Sequence, residues 1–402
     1  MPEPLRQMFR SWQFRSWQLR SRPWWGRLAA LLSFGLLVLA GVARSQDRSA
    51  PRHVAIGASG DILFHTALLE TADAHGGYDH LFSALRSVIQ DDEIAFANLE
   101  TPLSVDREPT RGDPPRLGAP PEAATALAHA GFDVLSVANN HAWDQRDTGM
   151  VSTLENLRHA GIEPVGAAPD AADAPGPIVV TQGDVRVAFV AFTEIIQGHP
   201  GTRRPAVRIA MWDERAARTA LTAAREQADV VVASMHWGLG YRHDDRSEQR
   251  HMAEVLVRHG ADVVIGHGPH VLQRVERVSS PRGEAVVIYS LGNLISNQGY
   301  HYRRGVRDRS VDVPLREPAT RDGVWMRVGV ELGEHVRVSE VSAIPLWTHN
   351  NYWESSRRDG PAPDIRVLPL YGVSDQGFAD ERRRAIGGVL GEQVQLLDGA
   401  RR

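Results

Sequence analysis

Residues 262–270 read Asp-Val-Val-Ile-Gly-His-Gly-Pro-His, and their pattern decides the fold class. Asp262–Ile265 is a short apolar run of the kind that forms a buried strand, and Gly266 ends it just before His267 and His270. A buried strand running directly into imidazoles marks the carboxyl edge of an α/β sheet, because that edge lines the ligand crevice.

Outward from this stretch the pattern recurs. Strands are predicted at His53–Ala58, Glu93–Ala97, Asp133–Val137, Arg186–Phe192, Asp229–Ser234 and Ala285–Tyr289. Helices are predicted between them at Pro121–Ala130, Val151–Ala160, Asp213–Gln227 and Ser247–His259. The alternation predicts an α/β architecture. Three helix ends read His129-Ala130-Gly131, His159-Ala160-Gly161 and Arg258-His259-Gly260. Glycine supplies the left-handed stop and histidine suits the dipole, so His129, His159 and His259 are set aside as ligands.

The strand ends carry the chemistry. Gly60-Asp61 is followed by His65, and the later strands end in Asn98-Leu99-Glu100, Asn139-Asn140-His141, His236-Trp237-Gly238 and Ser290-Leu291-Gly292-Asn293. Singly, these residues have ordinary uses as caps, turn formers or hydrogen-bonded core imidazoles. Together, carboxylates, amides and imidazoles at successive strand ends predict a centre for one or two hard or borderline divalent ions: Mn, Zn, Fe or Mg. Asp61 and Glu100 would neutralise the ions, Asn140 would give a carbonyl oxygen, and His236, His267 and His270 would give nitrogen. His65, Asn139 and Asn293 are further candidates. Two such ions would acidify water and clamp a phosphoryl group, leaving His141 to protonate the leaving group with Asp144 as its orienting partner.

Composition excludes several alternatives. There is no Cys and no Lys among the 402 residues, which removes thiol chemistry, disulfides, Schiff bases and a Walker-type lysine. Residues 1–50 carry eight Arg against Glu3 and Asp47, a balance of +6. The whole chain is −4, so the remainder carries −10, which argues against nucleic-acid binding. An amidohydrolase-type barrel also places His and Asp at strand ends, but it opens on His-x-His and often needs a bridging modified lysine.

The ordered series Gly-Asp61, Asn98-Leu-Glu100, Ala-Asn139-Asn140-His141, His236-Trp-Gly, Gly-His267-Gly-Pro-His270 and Tyr-Ser-Leu-Gly-Asn293 resembles the CapA family of poly-γ-glutamate capsule synthesis proteins. That family belongs to the calcineurin-like metallophosphatase superfamily. The resemblance covers about residues 53–298 and implies a four-layer αββα sandwich with the site at strand ends. It implies that Asn140 and His141 are the superfamily's Asn-His pair, and that His236 and His267 are its later histidines. Three departures stand out. Ile62 and Leu63 follow Asp61 where the superfamily has a His two residues on. Glu100 replaces a bridging Asp, and Gly268 and Pro269 both separate the last histidines. The resemblance implies a metal-dependent hydrolase of phosphoester or related bonds in capsule or exopolymer assembly. The alternative is a non-catalytic, membrane-tethered subunit for polymer binding, assembly or export.

Domain boundaries follow from the same reading. Residues 1–27 form an Arg/Trp-rich segment expected on the cytoplasmic side, and 28–43 an apolar membrane anchor or signal h-region. Residues 44–52 are a linker, and 53–298 the CapA-type domain. Residues 299–370 bring a long loop and two antiparallel strands, Val324–Leu332 and His335–Ile344, that complete the domain. A tail at 371–402 holds an amphipathic helix ending near Leu397. The expected location is the cytoplasmic membrane, single-pass with the main domain outside, or secreted or periplasmic after signal cleavage. Expected partners are the membrane, an anionic capsule polymer contacted by Arg303, Arg304, Arg307 and Arg309, and other capsule synthesis or export proteins.

Overall fold

The structure is a computed structural model that describes residues 52–399 apart from 112–113, 171, 173, 199–205 and 307–308. The predicted segments 1–27 and 28–43, and the linker up to residue 51, lie outside the described residues. Among those described, no helix is long and apolar enough to cross a membrane.

The principal strands are β1 (Arg52–Ile62), β2 (Ile94–Leu99), β3 (Val134–Ser136), β4 (Glu163–Val165), β5 (Ile178–Gln182), β6 (Val185–Thr193), β7 (Val230–His236), β8 (Val263–His267), β9 (Gly283–Ile288), β10 (Asn293–Ile295), β11 (Asp322–Leu332) and β12 (Val336–Asn350). Every strand predicted from an apolar run is present, most of them longer than expected, whereas β4, β5 and β10 have no counterpart in the prediction. The principal helices are α1 (Thr66–Ala74), α2 (Glu122–Ala130), α3 (Arg146–His159), α4 (Glu214–Gln227), α5 (Ser247–Arg258) and α6 (Gln376–Leu390). Gly131, Gly161 and Gly260 adopt positive φ of 114°, 87° and 111°, so the three predicted stops hold. Two expectations are corrected. The linker ends at residue 51, because Arg52 already pairs with Leu332. The tail helix ends at Leu390, since Gln395 and Leu396 leave it to pair with β12.

The strands form one continuous mixed sheet in the order β4-β3-β2-β1-β11-β12-β9-β8-β7-β6-β5. Its two halves join through a single pairing, Gly283 with Val336. Period-2 alternation explains how the second half serves two layers. Val187 and Phe189 of β6, Val230 and Val232 of β7, and Val263 and Ile265 of β8 enter the larger core, which also holds Ile56 of β1 and Phe96 of β2. Their neighbours Ala188 and Val190, Val231 and Ala233, and Val264 point the other way, against Ala217 and Leu221 of α4 and Leu256 of α5. Phe96 stacks on Phe189 with ring centroids 5.5 Å apart, so the halves face each other across that core. Leu68, Leu127 and Leu154 of α1, α2 and α3 join it as well. The late strands β11 and β12 lie mid-sheet, between β1 and β9.

Candidate metal centre

Strand register assembles the site. Asp61 stands opposite Asn98 of β2 and Asn293 of β10, and His267 stands opposite His236. Gly60 permits the approach on one side: a Cβ there would lie 2.0 Å from the carbonyl oxygen of Gly292. His270 adopts φ 58°, a left-handed conformation costing about 1 kcal/mol for a non-glycine residue. Its Nδ1 lies 3.1 Å from both Asp61 Oδ2 and Asn293 Oδ1, and these two acceptors hold the ring in place. Asn293 is fixed in turn, its amide donating to Gln298 Oε1 at 2.8 Å and the Thr320 carbonyl at 2.9 Å.

Asp61, Glu100 and His270 each offer a ligand atom within 4.8 Å of the others. His236 Nε2 lies 3.9 Å and His270 Nε2 3.8 Å from Glu100 Oε1, while His267 Nδ1 lies 3.4 Å from Asp61 Oδ1. Burial alone would raise the Asp61 pKa, but the adjacent imidazoles of His267 and His270 hold its carboxyl well below the usual range. Glu100 goes the opposite way: burial, then the Asp61 and Asp144 charges, push it well above its ordinary value. Burial also pushes His236 down to about 3 despite the opposing pull of Asp61, which keeps a neutral lone pair available.

The residues fit a divalent ion. Glu100 and His267 are fully buried. Both Glu100 oxygens, both His267 ring nitrogens, and Oδ1 of Asn139 and of Asn140 lack a hydrogen-bond partner among the described residues. Buried groups of this kind are normally satisfied, and nearly all of these are electron-pair donors, so a cation is the chemistry they lack.

His141 Nδ1 donates to Asp144 Oδ2 at 2.7 Å, and the same oxygen accepts from the Leu117 backbone N–H at 2.6 Å. His141 and Asp144 thus stand in direct hydrogen-bond contact. His65 stands outside the tight cluster: its Nδ1 accepts from the Asn297 backbone N–H at 3.3 Å, and burial with nearby His141 and His270 pushes it down to about 3. Asn139 donates to Asn98 Oδ1 and the Leu99 carbonyl. In the arginine loop, Arg304 is committed to Asp375 and Glu381, Arg303 lies over the Trp353 ring, and Arg307 falls outside the described residues.

One participant lacked an assigned role in the sequence reading. Asn98 Nδ2 donates to Asp61 Oδ1 at 2.8 Å and lies 3.4 Å from His236 Nδ1, linking a carboxylate to an imidazole. Its signal is position: it continues the inward face of Ile94 and Phe96, where an amide has no packing reason to be. Beside the centre opens a cleft of about 430 Å³ lined by Asn140, Glu194, His236, Tyr241, Arg246 and His270, among others.

Residues 55–298 match the family model described as Bacterial capsule synthesis protein PGA_cap. The PGA biosynthesis protein CapA of Bacillus subtilis is 28% identical over 243 residues, covering 60% of this chain and 63% of that protein. The Capsule biosynthesis protein CapA of Bacillus anthracis is 28% identical over 248 residues, covering 60% and 59%. The match thus spans less than two thirds of the length of these curated relatives. Among solved structures, the chain is similar to a calcineurin-like phosphoesterase from Bacillus subtilis, at 12% identity and a TM-score of 0.42, over 84% of this chain and 97% of that one.

Proposed function

This chain belongs to the bacterial capsule synthesis protein family, and on that premise we propose that it is a metal-dependent hydrolase of phosphoester or related bonds in poly-γ-glutamate-type capsule or exopolymer assembly. The reading places it at the outer face of the cytoplasmic membrane, tethered by its N-terminal segment, with capsule synthesis proteins as partners. The observation that carries it is the fully buried Glu100 carboxylate, unpartnered beside His270, His236 and Asp61. No packing reason places a carboxylate without hydrogen bonds there, whereas an ion-binding role does.

Asp61, Glu100, Asn140, His236, His267 and His270 would hold one or two divalent ions, with Asn139 and Asn293 supporting them. Bound ions would supply Lewis-acid charge to a phosphoryl oxygen and acidify water. Asp144, anchored by the Leu117 N–H, accepts from His141 Nδ1, so Nε2 is the His141 atom left to exchange a proton with a leaving group. Arg246 puts a guanidinium at the cleft, suited to an anionic substrate.

The test is phosphodiester cleavage by the metal-loaded full-length chain. His141→Ala should lower kcat by about 10²–10⁴-fold with metal content unchanged. A second reading, a non-catalytic tethered subunit for polymer binding, assembly or export, is favoured by the buried apolar Ile62 and Leu63 that follow Asp61. Cleavage of neither phosphodiesters nor capsule polymer by the loaded chain would select it.

A further inference from the structure

A second group of histidines lies at the far end of α1 from the centre described above. α1 begins just after His65 and is capped at its other end by His75. Nine helical residues span roughly 13 Å, which separates the two places. His75 and His80 stack with centroids 4.0 Å apart and 4° between planes. His80 Nε2 lies 2.8 Å from Asp364 Oδ1, and His349 Nε2 lies 3.6 Å from Asp364 Oδ2. His75, His80 and Asp364 each offer a ligand atom within 4.8 Å of the others.

We propose that His75, His80 and Asp364, with His349 in reach as a fourth ligand, form a separate structural site for a zinc-class divalent ion. Two or three imidazoles and one carboxylate are a donor set for a borderline metal such as zinc. The outer contacts have the form such sites need. His75 Nε2 donates to the Pro363 carbonyl at 3.0 Å, which fixes the tautomer and leaves the Nδ1 lone pair for the ion. Asp364 is held by its backbone, its N–H donating to Asn351 Oδ1 at 2.6 Å and its carbonyl accepting from the Asn351 N–H at 3.2 Å. Arg366 sits 3.4 Å from Oδ2, which leaves Oδ1 as the ligand atom. The ion would take the place of the hydrogen bond between His80 Nε2 and Asp364 Oδ1, with the imidazole proton on the other ring nitrogen. The stacked rings must swing out of parallel to aim both lone pairs at one point, and exposed His75 has room for that rotation about its broad χ2 well. The ion would staple the end of α1 and the short helix Asp79–Phe82 to β12 and the strand Ile365–Pro369.

The test is equilibrium dialysis of Zn²⁺ against the full-length Asp61→Asn chain, whose main centre lacks a central carboxylate. One zinc per chain should remain, and adding His80→Ala should weaken it at least tenfold. Co²⁺ in its place should give visible absorption in Asp61→Asn that His80→Ala abolishes. No zinc in Asp61→Asn, or equal zinc with and without His80→Ala, overturns the proposal. Should Asp61→Asn fail to fold, His75→Ala in the otherwise wild-type chain replaces it, because His75 is exposed and supports no core. A drop of one zinc per chain supports the site, and unchanged content overturns it.

Discussion

Replacing Glu100 with Gln should stabilise the metal-free chain and destabilise the metal-loaded one. In the metal-free chain the fully buried carboxylate has neither oxygen partnered and stands beside the Asp61 charge. Keeping such a buried group charged, or protonating it near neutral pH, costs the native state several kcal/mol. Glutamine of the same shape removes the charge but leaves an amide to satisfy, a cost of about 1–3 kcal/mol. The net gain is about 2 kcal/mol, or about 3 °C in Tm for a unit the size of Arg52–Arg402. The sign with pH follows from the raised carboxyl. The native state holds its proton more tightly than the unfolded chain, so the wild type loses stability as pH rises above the ordinary value of 4.5. The advantage of Glu100→Gln should therefore be largest at neutral pH and fade toward pH 4.5. With metal at 100 times its Kd, the wild type gains about 2.7 kcal/mol that the variant largely forgoes, so the order reverses. Differential scanning calorimetry in chelator and in saturating Mn²⁺ or Zn²⁺ reads both states. A variant less stable than wild type in chelator, or equally stabilised by metal, would refute the reasoning.

Other outcomes follow from the same geometry. Mass-spectrometric metal content of the reconstituted chain should fall in both Asp61→Asn and His267→Ala, since one removes a central carboxylate and the other a buried imidazole whose nitrogens make no hydrogen bond among the described residues. Phe96→Ala should cost about 3–5 kcal/mol in urea unfolding, because Phe96 is fully buried and stacks on Phe189 between the two halves of the sheet. Asp245 accepts from Arg274 Nε at 2.7 Å and Arg250 at 2.8 Å, and although burial opposes it, these bonds lower its pKa. Its contribution of about 1 kcal/mol should be complete above the ordinary carboxylate value of 3.8 and vanish as pH falls through the lower native value. The stability difference between wild type and Asp245→Asn at pH 7 and pH 3 measures it.

Local chemistry was legible in the sequence wherever it is local in cause. Apolar runs such as Asp262–Ile265 show strands because burial on both faces demands unbroken hydrophobicity, and His-Ala-Gly shows helix ends because only glycine takes the left-handed stop without strain. That Asp61, Glu100, Asn140, His236, His267 and His270 lie at or just beyond strand ends was legible too, because each apolar run stops where its polar residue begins. Pairing between distant segments was not legible. That β11 and β12 lie mid-sheet, and that Asn98 rather than His65 adjoins Asp61, depend on register between residues far apart in the chain. The meeting of His75 and His80 with Asp364 across 284 residues has the same cause. Sequence alone determined which chemical groups this protein carries and which strands end in them. Tertiary structure decided which of those groups share one buried space, because only there does removal from water leave the Glu100 oxygens and His267 nitrogens without hydrogen-bond partners.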